Sequence, residues 1–334
     1  MATIKDVAKA AQVSVASVSR YLNAPALVKT ETRERIARAV KKLNYQPSAL
    51  AVSMRTRQTQ NIALIIQTIT NMYYIDLYGA LRDAADRHSH SVSLFTTERN
   101  EAALRKTLDN VLRNNYAGVI LGFLDEPGVQ RDLERLAKTL PLVLVTCDPS
   151  QETIDNVYLD ARDGMFQAAT HLFSIGRKRI AYVGAAPNSV ISTEKYIGYT
   201  AALEAAGKSV DPKLVFHGAR QHFSSGMEGT AHFLSLPERP DGIVCTTDDI
   251  GIGCVKQLLI NKVPIPDAIA VASFNGISVL QSYEPELTTV AQPVQMMADT
   301  AIRMLMDRVR GGTPKAARRV VVRGKLEVRN SSVA

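Results

Sequence analysis

The sequence has no tryptophan, only three cysteines in 334 residues, and an aromatic content of 6%. Cys147, Cys245 and Cys254 are odd in number, sit beside apolar residues and show no paired metal-ligand spacing. They read as small buried thiols in a reducing compartment, which argues against a disulfide framework. No apolar run reaches the roughly 18 residues that a membrane span requires. The opening Met1-Ala2-Thr3-Ile4-Lys5-Asp6 enters a helical pattern with no apolar h-region and no cleavage site. The expected location is therefore the cytoplasm, with no membrane partner.

Catalytic signatures are missing as well. There is no P-loop, no His-Glu-x-x-His and no Gly-x-Ser-x-Gly, and Gly251-Ile252-Gly253 lacks the third glycine of a dinucleotide fingerprint. His88, His90, His171, His217, His222 and His232 form no metal-ligand spacing. The chain is expected not to be an enzyme and to need no cofactor and no metal. Its 46% hydrophobic and 22% charged residues are ordinary for a globular protein, and its length calls for two or three domains.

The charge is unevenly placed. Residues 1–60 hold eleven Lys/Arg and three acids (Asp6, Glu31 and Glu34), a net of 11 − 3 = +8. The remaining residues hold 40 − 11 = 29 basic and 32 − 3 = 29 acidic side chains, so the whole net charge of +8 lies in the first sixth. Binding a polyanion needs such a concentration, whereas a merely solvated surface does not.

The same segment has helix punctuation. Thr3 followed by Asp6 has the form of an N-cap with a capping-box acid, which predicts a helix from Ile4 to Ala11 with Val7 and Ala8 facing inward. Gln12-Val13-Ser14 reads as a tight turn, with Ser14 capping a second helix to about Asn23. After Pro25, Thr30 is placed to cap a third helix ending near Asn44, with a core of Val7, Val18, Leu22, Ile36 and Val40. Two short helices joined by about three residues make a helix-turn-helix, whose second helix fits the major groove.

Thr3-Ile4-Lys5-Asp6-Val7-Ala8, Val13-Ser14-Val15-Ala16-Ser17-Val18-Ser19-Arg20, Thr32-Arg33-Glu34-Arg35-Ile36 and Leu43-Asn44-Tyr45-Gln46-Pro47 closely resemble the LacI/GalR family of repressors. The resemblance is dense over residues 2–57. It implies that Val15 and Ala16 read bases, that Arg20 contacts guanine, and that Ser14, Ser17, Ser19 and Asn23 make phosphate or supporting contacts; Thr3 is counted with the DNA-binding residues. Periodicity alone would put Val15 in the core, and Arg20 could serve as a phosphate clamp. Its guanidinium fork nevertheless suits guanine O6 and N7, while Val15 and Ala16 suit thymine methyls. The Val-Ala pair resembles the galactose-repressor branch more than the lactose-repressor branch.

The resemblance further implies that Gln46–Arg55 forms a hinge helix, ordered on the operator and inserted into the minor groove as a pair. Met54 stands where the family usually has the leucine that wedges between base pairs, and Leu50 and Ala51 line the same groove. The expected divisions are a helix-turn-helix domain at 1–45, hinge and linker at 46–60, and an effector-binding and dimerisation domain at 61–334.

From Asn61 onward, short apolar strands alternate with amphipathic helices. Strands are predicted at Ile62–Ile66, Val92–Thr96, Gly118–Leu121, Leu142–Val145, Ile180–Gly184, Leu214–His217, Gly242–Cys245 and Ile269–Phe274. Helices such as Ile75–His88, Glu101–Asn115, Met165–Ile175 and Ser225–Ser235 fall between them. The alternation predicts βαβ units in two parallel sheets. The fold class is thus an N-terminal all-α helix-turn-helix domain plus hinge helix, followed by a two-lobed α/β sensor similar to periplasmic binding proteins. Crossovers known for the family are expected near Ala161, Val290–Pro293 and Val320–Val322. One lobe then holds 61–161 and 292–320, the other 162–291 and 321–334. The chain shows no C-terminal leucine heptad helix of the kind that makes tetramers in some relatives, so a homodimer is expected.

Ligands of such sheets bind beyond the carboxyl ends of the strands. Tyr73 and Tyr74 offer aromatic faces there, or else pack. The resemblance implies effector-binding positions at Asp248, at Lys195 where arginine is frequent, and at Asn275 where aspartate is usual. Trading one acid while keeping a cation leaves the site more positive, which favours an acidic or phosphorylated sugar over a plain one. The expected partners are double-stranded operator DNA, a small-molecule effector and a second copy of the chain, with effector releasing DNA. A transport binding protein would share the two lobes but not the basic head. A protein partner in place of the effector is the third alternative.

Overall fold

The computed structural model describes residues 2–45, 59–98, 100–122, 130–145, 152–187, 189–219, 221–311 and 316–333. Leu50, Ala51 and Met54 of the expected hinge, and Cys147, lie outside the described residues, as does the side chain of Asn23. The chain divides into two compact units, residues 1–59 and 60–334.

In the first unit α1 spans Ile4–Ala11, α2 Val15–Asn23 and α3 Thr30–Lys42. The Thr3 hydroxyl accepts from Asp6 N at 3.3 Å while Thr3 N donates to the Asp6 carboxylate at 2.8 Å, so two orphan amides of α1 are satisfied reciprocally. Gln12 ends α1 in the left-handed region at φ 53°, and Ser14 opens α2 by accepting from Ser17 N at 3.1 Å. Val7, Val18 and Ile36 are fully buried where the three helices meet, with Leu22 and Val40 packed against them. Thr30 does not cap α3: it is the first helical residue, Lys29 holds the cap position, and no side chain bonds there. The helix ends at Lys42, and Asn44 turns the chain at φ 43°.

The second unit contains two six-stranded sheets. Its strands are β1 (Asn61–Ile66), β2 (Ser91–Thr96), β3 (Gly118–Gly122), β4 (Leu142–Val145), β5 (Asp155–Leu159), β6 (Ile180–Ala185), β7 (Val215–Gly218), β8 (Gly242–Cys245), β9 (Ala270–Asn275), β10 (Thr288–Ala291), β11 (Arg319–Val322) and β12 (Lys325–Glu327). One sheet has the order β11-β5-β4-β3-β1-β2 and is parallel throughout. The other has the order β12-β10-β9-β8-β6-β7, parallel except for β12 against β10. Helices cover both faces, so β3, β4, β8 and β9 are buried along their whole length, and β3, β4 and β8 read as unbroken apolar runs. The first lobe carries α4 (Met72–Asp86), α5 (Glu101–Arg113), α6 (Gln130–Ala137) and α11 (Val294–Val309). The second carries α7 (Ala161–Ser174), α8 (Val190–Ala205), α9 (Phe223–Leu234) and α10 (Asp248–Ile260).

The chain passes between lobes three times, after β5, after β10 and after β11. Two expected boundaries move. Ala161 already belongs to α7 of the second lobe, because Asp160 caps that helix by accepting from Asp163 N at 3.0 Å. Val321 and Val322 belong to the first lobe, paired with Tyr158 and Leu159 of β5. The third crossing is therefore Arg323-Gly324, where a Cβ on Gly324 would stand 2.6 Å from Val290 Cγ1. Only glycine lets the crossing strand pass so close to β10. The helix expected from Ile75 begins three residues earlier, since the Asn71 side chain accepts from Tyr73 N at 3.0 Å. Among the described residues no helix is long and apolar enough to cross a membrane.

Candidate functional site

The head presents one face of α2 to solvent. Val18 is fully buried, yet Val15 is 41% exposed and Ser14, Ala16 and Arg20 are exposed with it. Val15 therefore projects from the first turn of α2, beyond the three-helix core, despite its spacing from Val18 and Leu22. Ser17 and Ser19 are half-buried on the same helix, and Ser17 Oγ lies 2.9 Å from Ser14 Oγ. The Thr3 hydroxyl is engaged in its own cap through Asp6. Small apolar groups and one guanidinium on an exposed, properly capped helix are the chemistry of base-edge contact.

The second unit has a cleft of about 650 Å³, including its open mouth, at the carboxyl ends of strands from both sheets. Gln67 and Thr68 follow β1, Leu159 ends β5 and Ala161 follows it, Thr247 follows β8, Asn275 ends β9, and Gln292 follows β10. Asn71, Tyr73 and Tyr74 enter from the first turn of α4, and Ile191 and Lys195 from α8. The two tyrosines stand edge to face at 5.6 Å between centroids and are nearly buried, as Asn71 capping sets the first turn of α4 against the sheet.

Tyr73, Tyr74, Lys195 and Asn275 thus line one cleft. Asp248 is not among the cleft residues. Thr247 caps α10 and faces the cleft, which turns the next residue inward. The Asp248 carboxylate accepts from Ser273 Oγ at 2.5 Å, Thr289 Oγ1 at 2.6 Å and Ile277 N at 2.8 Å, so it ties β9 and β10 together from inside the lobe. Burial raises its pKa, against the lowering effect of those donors.

Lys195 is the one charged side chain lining the cleft among the described residues. Its Nζ donates to Thr246 O at 2.7 Å and stands 4.0 Å from the Phe274 ring centroid. Burial lowers its pKa to about 7, with Asp248 opposing. Asn275 sits at φ 133°, a region that L-residues rarely adopt, and is held there from two sides. Gln292 N donates to its carbonyl at 3.0 Å and Gln292 Nε2 to its Oδ1 at 2.9 Å.

Sequence reasoning missed Gln67, Gln221, Phe274 and Gln292. Gln67 is 1% exposed, and among the described residues its Nε2 has no hydrogen-bond partner; Gln292 Oε1 has none either. Gln67 follows directly on the apolar strand β1, and that position was its available signal; Gln292 follows β10, whose two threonines break any such run. Among the described residues no group of three or more His, Cys, Asp or Glu could hold a metal ion. Cys245 and Cys254 are buried thiols in contact, 3.5 Å apart.

A family model described as "Bacterial regulatory proteins, lacI family" matches residues 3–48, and one described as "Periplasmic binding protein-like domain" matches residues 169–332. The chain is 30% identical to the HTH-type transcriptional regulator RegA of Clostridium saccharobutylicum, over 92% of this chain and 92% of that protein. Among solved structures it is similar to a transcriptional regulator CelR–cellobiose complex, with 26% identity, a TM-score of 0.74, and coverage of 99% of this chain and 100% of that one. It shares the fold of a lac repressor dimer bound to operator and the anti-inducer ONPF, at a TM-score of 0.87 and 21% identity, over 100% and 99% of the two chains.

Proposed function

The chain belongs to the lacI family of bacterial regulatory proteins, and from that premise we propose that it is a cytoplasmic repressor whose dimer binds a palindromic operator and is released by a small effector held in the cleft. It is a DNA-binding transcriptional regulator and not an enzyme. The effector is a sugar or, in our reading, an acidic or phosphorylated sugar. The observation that carries this reading is the cleft itself: two tyrosine faces, five amide side chains and a single cation, with no carboxylate among its described lining residues. Carboxylates there would repel an anion, and the amides suit hydroxyl groups.

Val15, Ala16 and Arg20 read base edges, with Thr3, Ser14, Ser17, Ser19 and Asn23 in supporting or phosphate contacts. The exposure of Val15 beside buried Val18 supports that assignment. Residues 46–60 act as hinge and linker, with Leu50, Ala51 and Met54 entering the minor groove at the dyad. The solved relatives support the remaining parts: one is a complex with cellobiose and the other a dimer on operator DNA. Effector that favours one arrangement of the lobes biases whether paired hinge helices form, and DNA reciprocally alters effector affinity.

Fluorescence anisotropy of a labelled operator tests this, with sugars, sugar acids and sugar phosphates added in turn. Release by one acidic compound is the expected result. Tighter DNA binding in its presence reverses the sign of the switch, and operator binding that ignores every compound favours a protein partner.

A further inference from the structure

We propose that the effector carries an anionic group that bridges the two lobes, seated between Lys195 of the second and Gln67 of the first, and that binding it takes up a proton at Lys195. This rests on the acidic-effector reading of the cleft. Both donors are almost fully buried, at 4% and 1% exposure, and both line the same cleft from opposite lobes. Lys195 spends one proton on the Thr246 carbonyl and faces an aromatic ring, so it lacks a full counter-charge. Gln67 Nε2 has no partner among the described residues, and a buried amide donor left empty costs free energy that a ligand oxygen would recover. An anion between them would join the lobes as a charge-assisted bridge.

The surroundings of Lys195 explain the proton. From α10 comes Asp248, whose two oxygens already accept three hydrogen bonds, so its charge is committed inside the lobe. Asp249 beside it is raised to about 6 by burial and by Asp248. From β8 comes Cys245, which burial keeps protonated. Phe274 of β9 is neutral, and Tyr73 and Tyr74 of α4 line the opposite wall. On α7, Arg162 is exposed and Asp163 is half-buried and bonded to Gln167. Without an anion, burial leaves Lys195 near half protonation at neutral pH, since its pKa falls to about 7. An adjacent anion restores the charged form and raises that value. Uptake is therefore greatest above pH 7 and vanishes well below it, and affinity for an anion falls by up to about tenfold per pH unit above 7.

Isothermal titration of the full-length chain with D-gluconate, glucose 6-phosphate and glucose tests the proposal. Each titration is run at pH 6 and pH 8 in two buffers of different ionisation heat, which yields the number of protons taken up. Gluconate stays ionised across that range, so its proton count reports the protein alone. At least one acidic probe should bind with uptake approaching one proton at pH 8 and little at pH 6. Lys195→Met should abolish the uptake and weaken that probe by roughly ten- to a hundredfold, as expected for a lost charge-assisted bond. Methionine fills the same buried space, so this variant should fold. Gln67→Met should weaken the probe several-fold and leave the uptake unchanged. Acidic probes bound without uptake, or uptake retained in Lys195→Met, overturn the proposal and leave the effector class standing. Failure of both acidic probes to bind overturns it as well. Tighter binding of glucose overturns both this proposal and the acidic-effector reading.

Discussion

The backbone N–H and the hydroxyl of Ser278 both donate to the carboxylate of Asp76, each at 2.8 Å, and so join the second lobe to the first across the cleft. One turn earlier on α4, the Met72 backbone N–H acts to lower the pKa of Asp249, against the raising effects of burial and Asp248. Met72 and Asp76 flank Tyr73 and Tyr74, so the helix turn that supplies the aromatic wall also clasps the opposite lobe through Asp76.

Asp76→Ala should therefore loosen the closed arrangement without touching the cleft lining. Hydrogen bonds to a charged group at an exposed site contribute on the order of 1 kcal/mol. Effector affinity should fall about fivefold, the equivalent of that energy, and small-angle scattering should show a wider separation of the lobes. Unchanged affinity together with an unchanged scattering profile would remove the clasp from the mechanism.

Stability should hinge on a different carboxylate. Asp155, fully buried at the start of β5, accepts five hydrogen bonds: two from the Arg308 guanidinium, and two from the guanidinium and one from the backbone N–H of Arg318. Burial acts to raise its pKa, but the donors from Arg308 and Arg318 outweigh it and the net shift is downward. A carboxyl whose folded pKa lies below its unfolded value adds stability at neutral pH and loses it as pH falls through the folded value. Asp155→Asn leaves the half-buried Arg308 guanidinium without its counter-charge and Arg318 with Asp307 alone, and should cost on the order of 3 kcal/mol. Urea unfolding at pH 7 measures that loss, and the gap between parent and variant should narrow below about pH 4. A gap independent of pH would mean that packing, rather than charge, is what the substitution removes.

Much of this architecture is legible in the sequence because single residues announce it. Thr3 with Asp6, and Ser14, mark helix starts by side-chain chemistry that acts over three residues, and both helices begin where those residues place them. Strands covered on both faces appear as bare apolar runs, which is why β1, β3, β4 and β8 stand out. Short edge elements do not: β11 and β12 are half exposed, β11 pairs with β5 from more than a hundred residues earlier, and β12 pairs with β10 across an intervening helix and strand. The cleft divides the same way. Tyr73 and Tyr74 attract notice as aromatics, whereas Gln67 and Gln292 differ from surface amides only in following a strand. Asp248 also follows a strand, β8, but the Thr247 cap turns its carboxylate into the lobe, a rotation that the sequence pattern does not show. Val15 reverses the error: its spacing says core, and its place in the first turn of α2 says solvent.

That exposed turn carries the last prediction. Arg20 is exposed on α2, its guanidinium free of any ion pair among those described, while the smaller Val15 and Ala16 stand beside it. If Arg20 pairs with guanine O6 and N7, Arg20→Ala should cost about 1–3 kcal/mol on the preferred operator and relax the requirement at one base pair. A phosphate clamp would behave differently, weakening all sequences alike and lowering the slope of log affinity against log salt by roughly one. Anisotropy titrations on the operator and on single-base variants of it, repeated at several salt concentrations, separate the two. Loss of discrimination with an unchanged salt slope identifies Arg20 as a base reader. A uniform loss with a reduced slope assigns it to the backbone, and sequence selection would then rest on Val15, Ala16 and the deformability of the operator.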